Sequence, residues 1–292
     1  VRMLLNKGVE CYLNSGLRAE YKNGNERIIS LLLQKGASIN SFSKRGDSVL
    51  LAAVQNDNER HVSFLLENGF DVNFYSINSY ESPLYQPCQI GNESIVRILL
   101  KYGVNVNAYT VYQKNPLYAA CKEEHESIVR ILLQNGANVN FPRTCNGNTP
   151  FVTCRYGNYF ETNGFFTVSR CEKHACSPLH EAILRGNENI VRLLLENGAD
   201  INFFSEYTGS PLYAAFKNGN ERIIGLLLGK GAQINLCSEY VGCPLHAACL
   251  NGNKSHVRLL LEKGAAINVC SKNKGSPLYA ACKNGNESIV HL

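Results

Sequence analysis

Residues 276–290 read SPLYAACKNGNESIV and residues 210–224 read SPLYAAFKNGNERII, so twelve of fifteen positions agree across an offset of 66. Midway between them, residues 243–257 read CPLHAACLNGNKSHV, which halves the offset to 33. The prolines of this motif recur as Pro83, Pro116, Pro150, Pro178, Pro211, Pro244 and Pro277, with Val49 and Gly16 in the same column. A column of glycines, Gly36, Gly69, Gly103, Gly136, Gly198, Gly231 and Gly264, keeps the same beat, with one gap between Gly136 and Gly198. A fixed period between about 20 and 50 residues signifies stacked supersecondary units rather than one globular core.

Each unit reads as two short helices and an extended loop. A Ser before Pro can cap a helix start, where the missing proline N–H costs nothing. Leu278, Ala281 and Cys282 then follow at the spacing of one buried helical face. Gly285 ends that helix, and Asn286 with Glu287 opens the next. In the repeat before Gly103, Ile95, Val96, Ile98, Leu99 and Leu100 form the apolar stripe of a second helix. Stretches such as ADINFFSEYTGS (199–210) and AAINVCSKNKGS (265–276) alternate briefly and end in turn formers, which predicts a hairpin-like loop.

These motifs resemble the ankyrin repeat, whose unit of about 33 residues opens on Thr-Pro-Leu-His and closes on Gly-Ala-x-x-Asn. The stretch SPLHEAILRGNENIVRLLLENGADIN (177–202) carries the resemblance best, and the match extends along nearly the whole chain. It implies an all-α repeat fold, an ankyrin-type α-solenoid with helix, turn, helix and hairpin loop in each unit. The family histidine stands only at His180 and His246; Tyr85, Tyr118, Tyr213 and Tyr279 replace it elsewhere, and Ser mostly replaces the family Thr. The Thr–His hydrogen bonding of the family therefore does not extend to the tyrosine units.

The expected organisation is one array over residues 1–292, of about nine units. Residues 1–36 form a degenerate start, where Arg18 and Glu20 stand at positions that are Tyr and Ala elsewhere. In the second degenerate unit, 145–177, Glu161 and Thr162 replace the usual Ile-Val pair and no closing Gly-Ala follows. That unit is expected to be a seam between 37–144 and 178–292. VRMLLNKG (1–8) aligns with VRLLLENG (191–198) and NESIVHL (286–292) with NESIVRI (92–98), so the array is expected to be a fragment truncated at both ends.

Composition narrows the function. A net charge of +5 spread over the chain, with no basic block, argues against nucleic acid as a partner. No apolar run reaches membrane-spanning length, so no direct membrane insertion is expected. Twelve cysteines follow the repeat: Cys88, Cys121, Cys249 and Cys282 share one column, and Cys237 and Cys270 another. Such columns use Cys as a small apolar filler, which predicts a reduced chain in a cytoplasmic, intracellular setting.

The segment CEKHACSPLH (171–180) offers Cys171, His174 and Cys176 as zinc ligands, with Cys145 and Cys154 upstream. His180 already belongs to the repeat and the spacing fits no common zinc pattern, so neither metal nor other cofactor is expected. His246 and Cys249 lie one helical turn apart, yet Tyr replaces that His beside Cys88, Cys121 and Cys282, which makes the pair a coincidence of two columns. The chain is expected to be no enzyme.

What remains is partner capture. Five residues past each hairpin asparagine lies a column that drifts while its neighbours repeat: Arg45, Tyr112, Cys145, Tyr207, Tyr240 and Asn273, with Tyr80 at the nearest equivalent. Drifting positions are free of packing duty, and tyrosine offers large contact area at low entropy cost. By resemblance, hairpin tips and first helices line a concave groove. The expected binding residues are Tyr80, Tyr112, Tyr207, Tyr240, Lys44, Arg45, Lys272 and Lys274, receiving a protein or peptide of acidic or mixed charge. The same array could instead serve as the recognition arm of a larger enzyme complex such as a ubiquitin-ligase substrate receptor, or as the cytoplasmic portion of a membrane channel.

Overall fold

Two compact units, Val1–Ala137 and Asn138–Leu292, make up the chain; its computed structural model describes residues 25–37, 40, 48–74, 82–108, 115–140 and 177–292. The first unit holds α1 (Glu26–Gln34), α2 (Val49–Gln55), α3 (Glu59–Glu67), α4 (Tyr85–Ile90), α5 (Glu93–Lys101), α6 (Pro116–Lys122) and α7 (Glu126–Gln134). The second holds α8 (Pro178–Arg185), α9 (Glu188–Glu196), α10 (Pro211–Asn218), α11 (Glu221–Gly229), α12 (Pro244–Asn251), α13 (Lys254–Glu262), α14 (Pro277–Lys283) and α15 (Glu287–Val290). Within each unit, first helices pack on first helices and second helices on second helices of adjoining repeats, the arrangement of an α-solenoid.

The boundaries follow from local chemistry. Ser177, Ser210 and Ser276 each accept the backbone N–H three residues on, with Pro at the following position; Asn115 does the same for α6. Asn92, Asn187 and Asn220 cap the second helices in the same way. Asn286 is an exception: it makes no cap bond, and its amide turns toward the Cys249 carbonyl at 3.4 Å. The left-handed residue between the paired helices is usually Gly, but Asp57 and Glu124 take it with φ of 54° and 61°.

The core is a set of columns. Leu84, Leu117, Leu179, Leu212 and Leu245 are at most 3% exposed, and burial of one such side chain contributes roughly 1.5–3 kcal/mol. In the last helix pair the same column opens: Leu278 is 53% exposed and Tyr279 55%, because no further described helix pair covers them. Cys282 is exposed there as well, whereas Cys88, Cys121 and Cys249 are buried. The buried face expected at Leu278 and Cys282 thus holds only at Ala281 in this repeat.

Two asparagine ladders tie repeat to repeat. In the loops, Asn107 donates to the Gly136 carbonyl and Asn235 to that of Gly264, each 29 positions on, and Asn235 accepts from Ala266 N–H at 2.9 Å. Asn140 makes the same bond to Gly198, 58 positions on, and accepts from Asp200 N–H at 2.7 Å. The rung after Asn140 therefore lies beyond residues 141–176. At the ends of the first helices, Asn218 donates to the Leu184 carbonyl, Asn251 to Phe216 and Asn284 to Leu250. The rungs at the first helices satisfy carbonyls that a helix end leaves open, and the loop rungs bind carbonyls just past the second helices.

Candidate functional site

Three loops of the second unit close as small fingers, each pinned by one antiparallel bridge: Ser205 with Gly209, Ser238 with Gly242 and Ser271 with Gly275. They are the only strand-like pairings in which both partners are described residues. The serine at each neck is buried, and its hydroxyl accepts N–H groups of its own turn: Tyr207, then Tyr240 and Val241, then Lys274. Gly242 sits at φ +99°, and a Cβ there would meet the His246 ring at 2.9 Å, so both the turn and the close approach demand glycine.

Neighbouring fingers are joined by backbone and charge. The Ser238 hydroxyl donates to the Glu206 carbonyl, Glu239 N–H to the Glu206 carboxylate at 3.2 Å, and Asn273 N–H to the Glu239 carbonyl at 3.4 Å. Lys272 Nζ lies 2.5 Å from the Glu239 carboxylate, which raises the ammonium pKa by hydrogen bonding and charge. The Tyr207 and Tyr240 rings stack at 4.8 Å between centroids and 18° between planes. Tyr240 remains 41% exposed and Lys274 is exposed. The structure thus brings Tyr207, Tyr240, Lys272 and Lys274 to successive fingers of one unit. Lys272 spends its charge on a carboxylate, so Glu206 and Glu239 make the tips mixed rather than purely basic. Sequence reasoning missed these two glutamates, although they occupy one column with Lys272.

Tyr80, Tyr112, Lys44 and Arg45 lie outside the described residues, as do Cys171, His174 and Cys176. Among the described residues, no group of three or more His, Cys, Asp or Glu side chains is placed to hold a metal ion. No helix there is long and apolar enough to cross a membrane.

The two histidines of the first helices differ instructively. His180 is fully buried, with Nδ1 3.1 Å from the Ser177 hydroxyl and Nε2 3.0 Å from the Gly209 carbonyl. Burial pushes its pKa down to about 4, against the smaller opposing effect of its backbone bonds. His246 keeps the carbonyl contact, to Lys274 at 3.1 Å, but its Nδ1 has no hydrogen-bond partner, because Cys243 stands where Ser177 stands in its repeat. Burial lowers the His246 pKa and raises that of Cys249 to about 11, which favours a neutral ring and a protonated thiol over an activated pair.

A family model described as ankyrin repeats (3 copies) matches residues 1–76, 73–143, 151–238 and 212–292. Among solved structures, the human ASB11 ankyrin repeat domain is similar with a TM-score of 0.61 and 26% identity, over 83% of this chain and 96% of that one. No curated protein sequence matches the chain.

Proposed function

Because the chain belongs to the ankyrin repeat family, whose repeats generally bind proteins, we propose that it is a non-catalytic scaffold that captures a protein or peptide on its finger tips. The observation that carries this reading is the Tyr207–Tyr240 stack, a flat aromatic platform built by two successive fingers with one ring 41% exposed. Rigid aromatic surface beside charged groups is the composition of a binding hot spot. Exposed Lys274, on the same run of fingers as exposed Glu206 and Glu239, suits a partner of mixed charge, its acidic groups directed to Lys274. In the first unit, Arg45 and Tyr112 occupy the same sequence column, with Tyr80 at its nearest equivalent and Lys44 beside Arg45, and we propose these four as binding residues there. The thiols buried in packing columns fit a reducing, cytoplasmic setting.

The test is affinity capture with the unmodified chain and with Tyr112, Tyr207 and Tyr240 changed to Ala, followed by binding measurements on each captured partner. Each ring should contribute roughly 1–3 kcal/mol to binding, with the helical circular dichroism unchanged. Unchanged affinity with all three removed, or a collapsed helical signal, would assign the rings to the structure rather than to an interface.

A further inference from the structure

We propose that Cys237 and Cys243 are a reversible disulfide site across the neck of the middle finger. Ser238 and Gly242 exchange both backbone hydrogen bonds, at 3.1 and 3.0 Å, so they form a hydrogen-bonded antiparallel pair. The next pair outward, Cys237 opposite Cys243, is then a non-hydrogen-bonded position, where Cα atoms come to about 4.5 Å and both side chains share one face. That separation lies within the span a disulfide bridges. The Cys237 thiol donates to the Ser238 carbonyl at 3.8 Å, and each thiol is close enough to influence the other electrostatically. The equivalent pairs are Phe204 with Ser210 and Cys270 with Ser276, so among the described fingers this one alone carries two thiols.

A filler role does not explain Cys243. At this position Ser177, Ser210 and Ser276 cap their helices, whereas Cys243 makes no cap bond and leaves His246 Nδ1 unpaired. Cys243 is 3% exposed and Cys237 half-buried, so Cys237 meets a reagent first. With a low-molecular-weight disulfide such as oxidised glutathione, the Cys237 sulfur attacks one sulfur of the reagent. Its S–S bond breaks, and the departing thiolate takes up the proton that Cys237 lost. Cys243 then attacks the Cys237 sulfur, releasing the second reagent thiol with the proton from Cys243. Two protein thiols are oxidised and one external disulfide is reduced to two thiols, a transfer of two electrons. Burial pushes Cys237 up to about 12 and raises Cys243 too, so the exchange is slow at neutral pH and accelerates as pH rises. The ring so closed, 237–243, carries Glu239 and Tyr240, and where the proposed binding surface holds, oxidation stiffens half of its aromatic platform.

The experiment treats the reduced full chain with oxidised glutathione at about pH 8.5, near the ordinary thiol pKa, blocks residual thiols by alkylation, and maps peptides without reduction. Cleavage after Glu239 separates the two cysteines, so a fragment pair held together through Cys237 and Cys243 is the expected product. Cys243→Ser introduces the residue that caps four other described helices; this variant should stay folded and stop at a glutathione adduct on Cys237. A bridge from Cys237 to Cys270 or Cys249, a persistent adduct on the unmodified chain, or no reaction at either thiol overturns the proposal. None of these readouts depends on partner binding, so the site can fail while the binding surface stands, and the reverse.

Discussion

His256 occupies a column that is isoleucine at Ile28, Ile95, Ile128, Ile190, Ile223 and Ile289. It is 4% exposed, meets Phe216 edge to face at 5.5 Å, and neither ring nitrogen has a hydrogen-bond partner. The Glu221 carboxylate stands 4.0 Å from Nε2, so burial lowers the pKa and Glu221 opposes it in part. A histidine depressed in the fold binds its proton more readily when unfolded. Stability is therefore intact above about 6.5, the ordinary histidine value, and is lost as pH falls from there through the folded value. His61, His180 and His246 are depressed in the same direction and add to the loss. His256→Ile should raise unfolding free energy by roughly 1–3 kcal/mol at neutral pH, the cost of burying unpaired polar atoms, and by more at about pH 5, below the free value. Urea denaturation at both values checks this, and an identical gain at the two would show that the ring does not titrate. The periodicity made the column legible as core; the price of its histidine exceptions depends on partners in a neighbouring repeat, which periodicity does not supply.

At the scale of the element, α12 is the one first helix of its described unit that starts without a side-chain cap bond. Cys243→Ser should restore a hydroxyl both to the helix N-terminus and to His246 Nδ1, adding about 1–2 kcal/mol of stability. A thermal melt of the reduced protein measures it, and an unchanged or lower midpoint would show that the thiol packs better than the hydroxyl bonds. Helix starts and stops were legible because Pro, Ser, Asn and Gly act within a few residues of themselves. Ser177, Ser210 and Ser276 cap as their sequence position implies. The asparagine rungs, the Tyr207–Tyr240 stack and the Glu239–Lys272 pair were not legible as contacts. All but the Asn140 rung join residues about one repeat apart, and whether they meet depends on the small rotation between repeats. The hairpin asparagines stood out in the sequence only as markers of register.

The whole molecule comprises two compact units that meet in sequence at Ala137 and Asn138. In a stack, stability is a sum of repeat and nearest-neighbour terms, so an interrupted stack need not unfold in one step. Hydrogen exchange in increasing denaturant should report one midpoint for amides of α5 to α7 and another for α9 to α13. Coincident midpoints would mean one cooperative body. The stretch 145–177, where the sequence loses its Ile-Val pair, is our proposal for the weakest coupling. Time acts on such a chain as well as denaturant. Asn218, Asn251 and Asn284, whose amides bridge first helices, each precede a glycine, the neighbour that least hinders cyclisation of an asparagine side chain onto the backbone. Conversion to aspartate would set a carboxylate oxygen against a carbonyl oxygen, turning a tether into a repulsion. The bonds that hold the repeats in line are thus also the places where chemical ageing would loosen them.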